Sequence, residues 1–527
     1  MRLNNIPKPD YVQVCLFSIF LIVGLFIYKD FGIGWDEEIQ RKTGLVSHEY
    51  VSKDSKELLE WQDKDYGVAF ELPLIIVEKN MSSKKDKDIY QMRHLVTHLF
   101  FLLGGLAIYK LIRLLLKDKM LAAIGTLLYF LHPRIYSDSF YNTKDIPFVA
   151  LYAICLYWSA KAFQSHKKVH FLILGIFTGL LINARIMGVL FFSCVFVFFL
   201  IDIITDGIQG RKVLNTTASF LLFICFTLIT LYATWPYLWI DPWHNFAEAF
   251  INMSKFRWPG EVLLKGELIK ATELPWFYAP LWMGITTPIF NMIIGLFGIA
   301  IAFGILIRKP LQYLRNVPER NIVLALISLV VPIAAVIVLH SVLYDAWRQL
   351  FFLYVPFILL AVLGIYYLQA KVNRKLVYGL AFLFLGLQAC SMISQHPFGN
   401  IYFNSFTNKT PEYIRHNYEM DYWGVNFNQS LDYILAHDTS KHIKVTGRVG
   451  TPSEINTRIL YKDTRISYSD PVDADYFITN YRGHTEDYKE YEGYEFHSFI
   501  INNSKVHTIF RHREMFKKAY PELSRRE

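Results

Sequence analysis

Apolar runs of about twenty residues recur along this chain, and no other feature constrains its fold as strongly. A helix needs roughly 20 apolar residues to cross about 30 Å of hydrocarbon. Runs near that length, or somewhat shorter, lie at 11–28, 95–116, 119–132, 146–163, 169–184, 186–203, 213–234, 282–307, 322–340, 349–369 and 376–394. Backbone polar groups must be satisfied internally in lipid, so such runs fold as helices. The expectation is an all-α polytopic membrane bundle of about 11 transmembrane helices. Of the 527 residues only 19% are charged while 53% are hydrophobic, a poor composition for several soluble domains. The first run is followed by Lys29, Asp30 and Phe31 rather than by small residues, which reads as an uncleaved first span.

The net charge of +9 is tested first as topology, since Lys and Arg collect in cytoplasmic loops. One set of short loops carries Arg113, Lys117 and Lys119; Lys161, Lys167 and Lys168; Arg211 and Lys212; Arg308, Lys309, Arg315 and Arg320; and Lys371, Arg374 and Lys375. The opposite set carries only Arg134, Lys144, Arg185 and Arg348. The first set is expected inside. The N-terminus is then cytoplasmic, and loops 29–94 and 235–281 and the C-terminus are extracytoplasmic, in an integral plasma (inner) membrane protein. No nucleic-acid partner is implied. All five cysteines lie in or beside apolar runs, which excludes a disulfide framework.

Composition changes near residue 396. Residues 1–395 read as a transmembrane module, and 396–527 as a small C-terminal α/β extracytoplasmic domain. Apolar alternation in "HIKVTGRV" (442–449) and "DYFITNY" (475–481) predicts strands there. In the first long loop, "YGVAFELPLIIVEK" (66–79) is too short to span and contains Pro73, predicting an interfacial or re-entrant helix. Loop 235–281, rich in Trp and Pro, predicts a structured cap.

Four stretches can carry chemistry. In "FGIGWDEEIQ" (31–40), Asp36 and Glu37 are adjacent; on a helix they differ by about 100° and can both face one cavity, with Gln40 on the same side as Asp36. A carboxylate at a membrane edge can act as general base or hold a divalent cation; its bland reading is a solvated helix start. "LHPRIYSDSFYNTKDIPF" (131–148) reads as a short turn that packs Arg134, Asp138, Lys144 and Asp145 together, as a phosphate site or as an internal ion pair with a helix cap. In "HSVLYDAWRQLFF" (340–352), Asp345 and Arg348 are three apart and can pair on a helix, and Arg348 can snorkel or anchor an anion. Arg185 in "INARIMG" raises the same choice. Glu267, Glu273 and His244 sit among interfacial aromatics and could shape a sugar site. The cationic exceptions share a side with the acids, a combination suited to a lipid phosphate with a polar headgroup.

"GWDEEIQ", "HPRIYSDSFYNTKDIPF", "YLWIDPWHNF", "LYDAWRQLFFLYVPF", "HPFGNIYFN" and "EMDYWGVNF", in this order between about residues 11 and 430, resemble bacterial polyprenyl-phosphate-sugar-dependent glycosyltransferases. These belong to the GT-C superfamily, related to protein O-mannosyltransferases and the lipid A aminoarabinose transferase. The resemblance implies a GT-C type bundle and inverting transfer of a sugar from a polyprenyl (undecaprenyl) phosphate to an extracytoplasmic lipid, polysaccharide or protein. It implies Asp36 as catalytic base with Glu37 beside it, and substrate binding by Asn142, Lys144, Asp145, Tyr344, Asp345 and Arg348; Arg134 and Arg185 from the charge count, and Glu267 from the aromatic loop, join them as candidate substrate-binding residues. Two positions depart from the pattern: Thr143 stands where proline is expected, and Gln349 where histidine often follows the arginine. No metal is carried over, so a divalent cation stays open. The rival class is a polytopic transporter or lipid-linked sugar flippase, which would tend to show paired repeats and interrupted helices.

Overall fold

The computed structural model describes residues 9–53, 55–209, 213–254, 258–308, 317–448 and 450–519. Arg211, Lys212, Lys309 and Arg315 of the charge count lie outside them. Eight helices among the described residues are long and apolar enough to cross a membrane: Asp86–Leu116, Asp145–Ser165, Gly188–Ile208, Val213–Thr234, Ile289–Arg308, Glu319–Val338, Arg348–Gln369 and Arg374–Ser394. The other three expected spans correspond to shorter apolar helices, Tyr11–Ile27, Lys119–Phe130 and Lys168–Ala184.

Burial separates central from peripheral helices. Asp145–Ser165 is enclosed nearly all round, whereas Gly188–Ile208, Val213–Thr234 and Arg374–Ser394 expose broad apolar faces, including Val197, Leu221, Ile229, Leu383 and Leu387. Apolar faces of this kind suit lipid contact. Helix Lys168–Ala184 packs closely on Val213–Thr234 through a Gly-xxx-Gly pair. A Cβ on Gly175 would sit 2.6 Å from the Phe223 carbonyl oxygen, and one on Gly179 2.7 Å from that of Thr227. The small residues let the backbones approach, and the helix thereby delivers Asn183 and Arg185 at its C-terminal end.

Residues 131–148 are not a turn. His132 caps a buried helix, Pro133–Tyr141, with Pro133 at its first position. In the first long loop, helix Glu71–Asn80 forms without a break, because Pro73 falls in its first turn, where no intrahelical N–H is needed. Region 235–281 contains helix Pro242–Ser254 and an antiparallel hairpin of β1 (Glu261–Leu264) and β2 (Glu267–Lys270).

The C-terminal region carries a five-stranded mixed sheet, in the order β4-β3-β5-β7-β6: β3 (Ile443–Gly447), β4 (Ile466–Tyr468), β5 (Tyr476–Thr479), β6 (Glu495–Ile501) and β7 (Ser504–Arg511). β3 runs parallel to β4 and β5, while β7 is antiparallel to β5 and β6. Its core is built from Phe427, Leu431, Ile434, Val445, Ile478 and Ile509. Phe398, Ile401, Phe403, Trp423 and Val425 pack instead into the core of the helical bundle.

Candidate functional site

Asp36 is placed by the C-terminal region. The Gly32 N–H donates to the Val425 carbonyl at 2.8 Å and the Trp35 N–H to that of Trp423 at 2.9 Å. The Asn456 amide brackets Ile33, accepting from its N–H at 2.8 Å and donating to its carbonyl at 2.9 Å. Residues 32–35 are thus tied down like an added strand. Helix Glu37–Lys53 then starts directly after Asp36, whose carbonyl accepts the Gln40 N–H at 3.0 Å.

The adjacent acids separate at this point. Asp36 faces a cavity. Glu37 turns into the protein and is fully buried; it accepts the Gly34 N–H at 2.7 Å and lies 3.1 Å from His94 Nε2. The expectation that both line one cavity is not met, because the first turn of the helix directs them about 100° apart and the Gly34 N–H captures the second. Glu38 pairs with Arg458 at 2.9 Å.

The cavity has a volume of about 250 Å³. Asp36, Tyr66, Lys144, Arg185, Tyr344, Arg348 and Gln349 give it a polar end, and Ile186, Met187, Val189, Leu190, Val336, Leu339 and Leu343 an apolar wall. Arg348 stands at the centre of the polar end. Trp347, fully buried and donating to Thr286 Oγ1 at 2.8 Å, anchors the turn that carries it. Asp345 and Ala346 both adopt left-handed φ, 56° and 62°, so Asp345 and Arg348 meet across a tight turn rather than on one helix. Arg348 Nη2 lies 3.1 Å from Asp36 Oδ2 and 3.2 Å from Asp345 Oδ2, and Nη1 lies 3.5 Å from Asp145 Oδ2. The rings of Trp423 and Tyr344 flank the guanidinium at 4.6 and 4.9 Å. Its Nε and Nη2 form no hydrogen bond among the described residues. Arg348, 2% exposed, joins Lys144 and Arg185 in concentrating positive charge at this end of the cavity, where an anion would be attracted.

Asn142 and Asp145 lie beneath this end. Asn142 accepts the N–H of Asp145 at 2.8 Å, starting helix Asp145–Ser165, and its Nδ2 donates to Asp138 at 3.1 Å and Asp145 at 2.9 Å. Asp145 also pairs with Arg185. Asp138 takes further hydrogen bonds from Tyr141 at 3.0 Å and Trp423 at 3.2 Å, yet burial pushes its carboxyl up to about 7. Lys144 rests over the Tyr66 ring, 3.2 Å from the centroid. Withdrawal from water, then the charge of Arg185, push its ammonium down to about 8. Thr143, at the expected proline position, hydrogen-bonds Gln40 at 2.5 Å and also Glu71, whose carboxylate pairs with buried Arg93 at 2.7 Å. Gln349 donates to the Tyr344 carbonyl at 2.9 Å, holding the turn.

Two expected residues fall elsewhere. Arg134 is buried in an aromatic box, 4.7 Å from the Phe403 centroid and 5.4 Å from that of Trp282, and donates from Nε to the Tyr402 carbonyl at 2.9 Å. The buried helix that replaces the expected turn directs it there. Glu267 is exposed at the tip of the β1–β2 hairpin and does not line the cavity. Three residues to which the sequence reading gave no role stand at the site. They are Tyr66, Trp423 and Arg482, the last donating to Asp345 at 2.8 Å. "EMDYWGVNF" pointed to the neighbourhood of Trp423; nothing local marks Arg482. Among the described residues, no group of three His, Cys, Asp or Glu is arranged to hold a metal ion.

Several known proteins are similar to parts or most of this chain. Among solved structures, the Archaeoglobus fulgidus oligosaccharyltransferase in its apo form aligns with a TM-score of 0.48 at 12% identity, over 88% of this chain and 65% of that one. A form tethered to an acceptor peptide containing the NVT sequon gives 0.47 at 11%, over 88% and 65%. The archaeal oligosaccharyltransferase AglB from the same organism, in complex with an inhibitory peptide and a dolichol-phosphate, gives 0.46 at 10%, over 89% and 70%. The chain thus spans 65% of the length of the first two. No curated protein matches the chain. Residues 89–235, which hold Lys144, Asp145 and Arg185, match the family model of dolichyl-phosphate-mannose-protein mannosyltransferases, and the chain's resemblance to GT-C glycosyltransferases stands on that stretch.

Proposed function

We propose that this protein is an integral-membrane, inverting glycosyltransferase that moves a sugar from a polyprenyl phosphate, in bacteria undecaprenyl phosphate, to an extracytoplasmic acceptor. The observation that carries the reading is Arg348. It stands, buried, at the polar end of a cavity whose other wall is apolar, with Lys144 and Arg185 beside it. An anion with a long apolar tail matches both ends.

In this reading residues 1–395 form an eleven-span catalytic module of GT-C type, and residues 396–527 form an extracytoplasmic unit. Arg348, Lys144 and Arg185 hold the donor phosphate, and Asp145 and Asp345, set by Asn142 and the Tyr344–Arg348 turn, hold the arginines. A phosphate oxygen that takes the Arg348 donors releases the Asp36 carboxylate from its ion pair. Asp36 then accepts the proton of the acceptor hydroxyl or amine as that group attacks the anomeric carbon. The bond from the anomeric carbon to the phosphate oxygen breaks, its electron pair leaves with the lipid phosphate, and the arginines stabilise the released charge.

The test is transfer from defined undecaprenyl-phosphate sugars by the purified full-length protein in membranes, with mass analysis of products. Sugar transferred with release of undecaprenyl phosphate is the expected result. Failure with every donor, together with substrate uptake by the same vesicles, would overturn the reading in favour of a transporter.

A further inference from the structure

We propose that Arg482, supplied by the C-terminal region, is a positioning residue that keeps Arg348 available to the donor phosphate; this rests on the lipid-phosphate reading of the cavity. Arg348 faces three carboxylates, Asp36, Asp145 and Asp345. Left alone among them, its donors would be drawn to the nearest oxygens. Two flanking arginines relieve that demand: Arg185 takes Asp145, and Arg482 takes Asp345 Oδ1 at 2.8 Å while Arg348 stays 3.2 Å from Oδ2. The row Arg185–Asp145–Arg348–Asp345–Arg482 alternates in sign. Removing its last cation leaves Asp345, among the described residues, with Arg348 as its remaining ion-pair partner and lowers the positive potential at the polar end.

The delivery of Arg482 is built rather than incidental. It follows β5 on a turn in which Tyr481 and Gly483 both have left-handed φ, 58° and 67°. Tyr481 is held there by a hydrogen bond to Thr508 at 2.8 Å and by Arg415 over its ring at 4.3 Å. The Arg482 N–H donates to Asn480 Oδ1 at 3.2 Å, its carbonyl accepts from Arg448 at 2.6 Å, and its Nη1 donates to the Tyr422 carbonyl. A left-handed tyrosine is strained and persists only where its surroundings over-determine it. The same region presses Trp423 against Arg348. Through these two contacts the C-terminal region takes part in setting the catalytic module.

The experiment measures binding of undecaprenyl phosphate to the full-length protein in detergent, alongside thermal unfolding. Arg482→Ala weakens binding by roughly tenfold or more, Arg482→Lys recovers most of it, and the double variant Arg482→Ala with Asp345→Asn recovers affinity because the competing carboxylate has gone. Arg458→Ala, which loses only a surface pair, binds as wild type. Wild-type affinity in Arg482→Ala would overturn the proposal. So would a double variant as weak as the single, since Arg482 would then be scaffolding alone. If Arg482→Ala does not fold, Arg482→Gln takes its place in the same comparison. Wild-type protein that binds no undecaprenyl phosphate would instead bring down the lipid-phosphate reading itself.

Discussion

Arg348 Nη2 lies 3.1 Å from Asp36 Oδ2 without the alignment of a hydrogen bond. The pair holds together by charge and can part without breaking a directed bond, as a base and an anion receptor sharing one site must do. Asp36→Asn removes the proton acceptor and the competitor for Arg348 together. Transfer should fall by roughly 10²–10⁴-fold, while undecaprenyl phosphate binds as well as before or better. Turnover at the wild-type rate would remove Asp36 from the mechanism.

Lys144 makes donor binding depend on pH. Its ammonium, pushed down to about 8 by burial and by Arg185, binds an anion only when protonated. Charge is therefore full well below pH 8 and lost as pH rises through it. Donor affinity should hold near pH 6–7 and decline above about pH 8. Lys144→Arg, charged throughout, should flatten that limb. Titration of undecaprenyl phosphate binding across pH in both proteins checks this; an unchanged limb in the variant would place its origin elsewhere.

Glu37 should behave as a structural acid. Its removal strands the Gly34 N–H and the His94 ring in a buried setting. Glu37→Ala should cost about 1–3 kcal/mol of stability. Glu37→Gln, which retains an acceptor, should transfer sugar within roughly twofold of wild type, because transition-state stabilisation is unaffected. Large loss of turnover in Glu37→Gln at unchanged melting temperature would return it to the catalytic group.

These residues mark how far the sequence could be read. Span length and the positive-inside count picked out Lys144, Arg185 and Arg348, since a cation on the wrong side of a bundle needs a reason and all three line the cavity. The same count also picked Arg134, because nothing local shows that residues 133–141 form a buried helix. Local pattern treats Asp36 and Glu37 alike, and only the family resemblance puts Asp36 first; their different fates depend on the Gly34 N–H and on which residue starts the helix. Arg482 reaches Asp345 across 137 positions through a left-handed turn, a relationship that periodicity and local motif do not encode.

Arg134 and Arg185 offer a matched comparison, since the sequence treats them alike and the structure does not. Arg185→Ala leaves Asp145 free to draw Arg348 away from the cavity, so binding of undecaprenyl phosphate should weaken by about tenfold or more with little change in melting temperature. Arg134→Leu strands the Tyr402 carbonyl and empties the box formed by Trp282, Phe403 and Tyr422. That variant should lose about 2–4 kcal/mol of stability, while its folded fraction keeps wild-type affinity for the lipid phosphate. Thermal unfolding and lipid-phosphate titration on the same preparations separate the two. Reversal of the pattern, with Arg134→Leu stable and unable to bind, would move the anion site from the cavity to the aromatic box.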